Sequence, residues 1–153
     1  MTQRLDQFAA AGDLFQPMLQ QEELLKSAGL EYSLIELVKL RASQLNGCAL
    51  CIHMHTHDAR KHGESEDRMH LLPAWRESPL YSPRERAALA WTEALTKVAE
   101  TGAPDADYAP VAEQFTPREQ VALTLLIGAI NSWNRIAIGF RTPHPAPREA
   151  TAA

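Results

Sequence analysis

Cysteine is nearly missing from this sequence: 153 residues hold two, Cys48 and Cys51. A fold stapled by several bridges is therefore excluded, and two thiols confined to one Cys-x-x-Cys suit redox or metal chemistry better than structural stapling. An excess of positive charge is also lacking. Lys and Arg number 15 against 19 Asp and Glu, giving a net charge of −4 and a pI near 5.8. That balance offers no basic footprint for nucleic acid and no attraction to an anionic membrane surface. Long apolar runs are missing too. The longest, Val121 to Ile130, is about half of the ~20 residues that span a bilayer and reads as a buried helix. The opening MTQRLDQFAAAGDLFQPMLQ mixes charged and apolar residues without the continuous apolar stretch of an export signal. The expected compartment is therefore cytoplasmic, where thiols rest reduced.

Strand-like alternation is nowhere convincing, and apolar residues recur at helical spacing instead. A short leading helix is expected from Arg4 to about Ala10, and a better one from Phe15 to Ala28, ended by Gly29. Ser33 reads as an N-cap for a helix with Leu34, Leu37, Val38, Arg41 and Leu45 along one stripe, stopped by Asn46-Gly47. The next helix is expected from Cys48 to His62, with Gly63 just past its end, then a short polar one from Glu64 to Leu72 and a proline-marked link. Ser82-Pro83-Arg84-Glu85 and Thr116-Pro117-Arg118-Glu119 are both capping boxes with proline at the first helical position. They open helices of about Pro83–Glu100 and Pro117–Phe140, and their likeness reflects shared capping chemistry rather than a repeat. The expectation is all-α: one compact helical bundle over residues 1–141, long enough to bury a core unaided, then a flexible tail, 142–153.

Helix geometry decides which groups share a face. At about 100° per residue, with Cys48 at zero, Cys51 lies near about −60° and His55 near about −20°. On the same scale His62 falls near about −40° and Asp58 near about −80°, whereas His53 and His57 lie on the far side at about 140° and 180°. Both thiols sit at the start of the helix, where unpaired N–H groups and the positive dipole end favour a thiolate. If Asn46-Gly47 folds the two helices back to back, Glu36 lies about 16 Å before the turn and His55 about 12 Å after it. The two are then nearly level, and a half-buried carboxylate beside an imidazole can relay protons. Physical chemistry alone leaves the order of the thiols open. Cys48 is nearer the helix dipole, and Cys51 is one turn from His55.

The pattern Glu36, eleven residues, Cys48-x-x-Cys51, three residues, His55 resembles the signature of the AhpD-like alkylhydroperoxidases of the carboxymuconolactone decarboxylase superfamily. The approach Arg41-Ala42-Ser43-Gln44-Leu45-Asn46-Gly47 resembles that family too, as does Ala129-Ile130-Asn131-Ser132-Trp133-Asn134-Arg135-Ile136 through Phe140-Arg141. The likeness runs from about Leu34 to Arg141. It implies an AhpD-like helical bundle, a homo-oligomer (trimer or hexamer), and reduction of organic hydroperoxides through a dithiol–disulfide cycle, reset by an external dithiol reductant protein. By position it implies Cys51 as the attacking thiol, Cys48 as the resolving thiol, and Glu36 with His55 as the proton relay, without metal or organic cofactor. One position departs from the pattern: some members carry histidine where this chain has Leu50.

Three rival readings are weighed. Zinc could be held by Cys48, Cys51, His55 and His62, although tetrahedral sites usually draw ligands from two elements. A lactone decarboxylase, as elsewhere in the superfamily, has no need of thiols. A dithiol relay or redox sensor would act on another protein's disulfide. Trp133, Asn134 and Arg135 could line a pocket, yet Trp133 and Ile136 read first as core or subunit contact; His53 and His57 could bind metal as an i, i+4 pair but read first as a solvated or interface face.

Overall fold

The computed structural model describes residues 2–145, and every regular element among them is helical. In chain order these are α1 (Gln7–Ala11), α2 (Gln16–Lys26), α3 (Tyr32–Asn46), α4 (Ala49–Lys61), α5 (Glu66–Leu71), α6 (Pro83–Thr96), α7 (Val98–Thr101), α8 (Asp105–Gln114) and α9 (Pro117–Phe140). Single 3-10 turns lie at Gly12–Phe15 and Leu72–Ala74. Both expected capping boxes form. Ser82 and Thr116 accept from the backbone N–H three residues on, and the Glu85 and Glu119 carboxylates accept from the N-cap N–H groups in return. Of the tail expected over 142–153, residues 146–153 lie outside the described residues. Its first residue is tied down: the Thr142 N–H donates to the Ala137 carbonyl, and its hydroxyl accepts from Gln7 Nε2.

α3 runs through the middle of the bundle. The sequence suggests a single buried stripe, but Leu34 through Leu40 are buried without interruption. Leu34, Ile35 and Val38 pack with Ala88 of α6 and Leu123 and Ile127 of α9. Leu37 and Leu40 face the other way, toward Ala59 of α4, Leu72, Trp75 and Leu89. A helix clad on opposite sides has no bare face, and even Glu36 and Lys39 are buried on it, which is why a single apolar stripe underestimates its burial. α9 packs against α2, α3, α4, α6 and α8. By length and composition it could cross a membrane, with mean hydropathy 1.4 over its most apolar window. In the bundle its Leu123, Leu126, Ile127 and Ile130 are almost wholly buried, as a core helix requires.

Three expectations need correction. α3 begins at Tyr32 with Glu31 as its N-cap, so Ser33 lies inside the first turn and caps nothing. α6 stops at Thr96 rather than continuing to Glu100: Lys97 leaves helical geometry, and the Ala94 carbonyl accepts from the Thr101 hydroxyl. α8 has no counterpart in the sequence reading. Its interior Pro110 and single fully buried residue, Val111, leave little helical signal.

Candidate active site

The site starts at the turn between α3 and α4. Gly47 closes α3 in the left-handed region (φ 71°), and the Gly47 and Cys48 N–H groups donate back to the carbonyls of Gln44 and Ser43. Only a residue without Cβ adopts that geometry cheaply, and the reversal lays α4 against α3. Asn46 then clamps the turn to α9. Its Nδ2 donates to Asn131 Oδ1 (3.0 Å) and Asn134 Oδ1 (2.8 Å), while Asn134 Nδ2 donates to Ser43 Oγ (3.0 Å). Asn134 is fully buried with its amide satisfied, so it is a brace for the turn rather than a pocket wall.

Cys48 is the N-cap of α4, and its Sγ accepts from the Cys51 N–H at 3.3 Å. The two sulfurs are joined as a disulfide, with Cα atoms 5.3 Å apart. Both cysteines are buried, and they pack with Leu50 and Ala137 of α9. One turn on, His55 Nδ1 lies 2.9 Å from Glu36 Oε2, and both side chains are buried. A carboxylate oxygen accepts, so Nδ1 is the donor between them, and Nε2 is left as the ring atom for proton exchange. The four residues singled out in the sequence thus stand together, two on each redox or acid–base function, across the α3–α4 pair.

Beside them lies a cavity of about 1050 Å³, larger than most small-ligand pockets. Cys51, His55 and Glu36 line it, and Cys48 does not. Leu19, Leu50, Met54, Ile130, Trp133 and Ile136 make much of its wall apolar. Phe8, Leu19, Leu24 and Met54 are also exposed, so the rim opens to solvent. The sulfurs are therefore hidden from the outer surface while Cys51 faces an interior chamber.

Several lining residues carry no mark in the sequence. Lys39 Nζ meets Glu22 Oε2 at 2.5 Å, with side chains 9% and 14% exposed, and Glu22 Oε1 accepts from Trp133 Nε1 at 3.1 Å. Glu36 thus pairs with neither Lys39 nor Arg41, the partners its position also allows; Arg41 is held by Glu93. Tyr32, one turn before Glu36, lines the cavity as well. Its hydroxyl pKa is pushed up to about 12, first by burial and then by the charges of Glu36 and Asp58, so it stays a donor. The signal for these residues was available only as polar groups on otherwise apolar helix faces.

The zinc set Cys48, Cys51, His55 and His62 is not assembled. The sulfurs bond each other, and His62 packs at a tilt against Tyr32 (ring centroids 4.0 Å) with its Nδ1 donating to the Asp58 carbonyl. The grouping of metal-capable atoms is instead Glu36, His55 and Asp58, within 4.8 Å of one another, of which the first two already bond each other. His53 and His57 are exposed on the opposite face of α4, and His53 stacks against His144.

Similarity to known proteins follows the same outline. The sequence matches the carboxymuconolactone decarboxylase family over residues 13–94. It is 44% identical over 138 residues to the uncharacterised protein YdfG of Bacillus subtilis, covering 90% of this chain and 94% of that one. The uncharacterised YnjA of Escherichia coli is 31% identical over 106 residues, covering 69% and 58%. A crystal structure of a protein of unknown function from Agrobacterium tumefaciens, provisionally assigned to antioxidant defence as AhpD, superposes with TM-score 0.92 at 46% identity over 95% of this chain and 99% of that one. An uncharacterised peroxidase-related protein from Silicibacter, 23% identical with TM-score 0.68 over 77% and 62%, shares the fold. This chain is an AhpD-like member of the carboxymuconolactone decarboxylase family.

Proposed function

We propose that this protein is a thiol-dependent peroxidase that reduces organic hydroperoxides in antioxidant defence. One observation carries the reading: of two sulfurs close enough to bond, only Cys51 opens on the cavity, beside an imidazole held by a buried carboxylate. That asymmetry favours Cys51 as the attacking thiol. His55 takes the Cys51 thiol proton. The thiolate attacks the distal peroxide oxygen, the O–O bond breaks, and Cys51 becomes a sulfenic acid, while the departing alkoxide takes that proton from the His55–Glu36 pair and leaves as the alcohol. Cys48 then gives its thiol proton to the same pair and attacks the Cys51 sulfur. The S–S bond forms as the S–O bond breaks, and the hydroxide takes the proton back and departs as water. An external dithiol protein restores both thiols by exchange and is itself oxidised. With Leu50 in place of a histidine, the proton route runs through His55, and the cycle as written needs no metal or organic cofactor. A cytoplasmic setting supplies the reducing power.

Likeness to a protein provisionally assigned to antioxidant defence supports this reading over the lactone decarboxylase, for which the dithiol has no task. The test is a thiol count with and without a hydroperoxide, followed by mass analysis. Wild type should lose two thiols and gain an intramolecular disulfide. Cys51→Ser should consume no peroxide, and Cys48→Ser should stop after one equivalent as the sulfenic acid. Continued cycling by Cys48→Ser would overturn the roles, and lactone decarboxylation surviving the double Cys48→Ser/Cys51→Ser change would favour the other reading.

A further inference from the structure

The charges on the cavity wall are unevenly matched. Four carboxylates line it, Glu22, Glu23, Glu36 and Asp58, against two ammonium groups, Lys26 and Lys39. Each ammonium is already taken. Lys39 is locked to Glu22 in the interior, and Lys26 bonds Glu23 at 2.7 Å near the rim. A buried Lys–Glu pair is held by mutual attraction in a water-poor setting, and neither partner is released cheaply to a ligand. The Trp133 indole N–H fixes the second oxygen of Glu22, so the pair has no slack on the acid side. On the dithiol side stand Glu36 and Asp58, with no Lys or Arg partner among the described residues.

A ligand that lays an apolar chain along Leu19, Met54, Trp133 and Ile136 therefore meets two closed Lys–Glu pairs and, on the dithiol side, carboxylates without a Lys or Arg partner among the described residues. A carboxylate entering this chamber would lose its water and find no cation to replace it. An uncharged chain meets no such penalty, and a cationic head finds Glu36 and Asp58.

We infer that the cavity admits uncharged chain-like hydroperoxides and rejects those bearing a carboxylate, with Glu22 as the specificity-determining residue because it keeps Lys39 from accepting an anion. The inference rests on the peroxidase reading for the reacting group of the ligand, and on the wall alone for its charge.

The experiment measures binding to the oxidised wild-type protein, where no turnover occurs. The probes are 1-octanol, octanoate and octyltrimethylammonium, titrated under the same buffer and followed by tryptophan fluorescence and calorimetry. Octanoate should bind about tenfold or more weakly than either of the others. The cation controls for desolvation, since it too must shed its water. Octanoate binding as tightly as either would overturn the inference. Glu22→Gln, which frees the Lys39 ammonium, should strengthen octanoate binding severalfold relative to octanol. If that variant fails to fold by thermal melting, Asp58→Asn serves in its place and should also narrow the gap. An unchanged ratio in the folded variant would sink the assignment. Ligand order intact without Cys51-dependent hydroperoxide turnover would strike the peroxidase reading and leave this one standing.

Discussion

Glu36 is 4% exposed and bonds one side-chain partner, His55 Nδ1. Replacing it with glutamine keeps the shape but offers an amide that can donate as well as accept, so the His55 tautomer is no longer fixed. The proton acceptor beside Cys51 weakens with it. In a Cys48→Ser background, Glu36→Gln should move the pH profile of Cys51 alkylation to higher pH. Hydroperoxide turnover of the single variant should fall about a hundredfold at neutral pH. An alkylation profile that does not move would remove Glu36 from the relay. This pair was readable in the sequence because a Gly turn between two helices sets their levels arithmetically. Lys39–Glu22 was not. Its partners sit on α2 and α3, separated by no turn whose geometry fixes their register. Asn134, offered by the sequence as a possible pocket residue, is instead a buried brace, since a buried polar group declares its purpose only once its partners, Asn46 and Ser43, are known.

At the scale of elements, α6 is fixed to α3 and to the loop after Ala74 by one carboxylate. Glu93 Oε1 accepts from Arg41 Nε and Trp75 Nε1, both at 2.8 Å, and Oε2 accepts from Arg76 at 2.5 Å. Burial alone would raise the pKa of Glu93, but the hydrogen bonds from Trp75, Arg76 and Arg41 outweigh it and hold the carboxyl below its ordinary 4.5. The unfolded chain therefore binds this proton more readily than the folded one. The stability that Glu93 contributes is present above about pH 4.5 and is lost as pH falls toward the lower folded value. Glu93→Gln should cost about 1–3 kcal/mol at pH 7. Its denaturant midpoint should then fall less steeply than wild type between about pH 5 and 3. Parallel slopes for the two proteins would refute the linkage. The same carboxylate shows where element reading ran out. Capping boxes located the starts of α6 and α9, because capping is local chemistry. The end of α6 and the whole of α8 depend on tertiary contacts, such as Thr101 with Ala94, that periodicity does not record.

For the whole molecule, the bundle was legible from helical periodicity, but which faces remain outside was not. Val121 and Leu125 of α9 are 60% and 47% exposed, and Gly128 and Ser132 continue their line at helical spacing. Leu125, Gly128 and Ser132, with Met18 and Gln21 of α2, border a second, shallow cavity of about 530 Å³. Apolar side chains followed by small ones let another backbone approach closely, whereas a permanently solvated face would be dressed with charge. If the protein forms the homo-oligomer that the family resemblance implies, this face, on the side of α9 away from the dithiol, is the one expected to make the contact. Light scattering should give a mass that is a multiple of 17.0 kDa at micromolar concentration. Leu125→Glu, which places like charges across any symmetric contact, should reduce that mass toward the single chain while thermal melting shows the fold retained. A wild-type mass of one chain, or an oligomer indifferent to Leu125→Glu, would rule out this face. Because the stripe lies away from Cys51, peroxide-driven disulfide formation in that variant should proceed at the wild-type extent, separating assembly from chemistry.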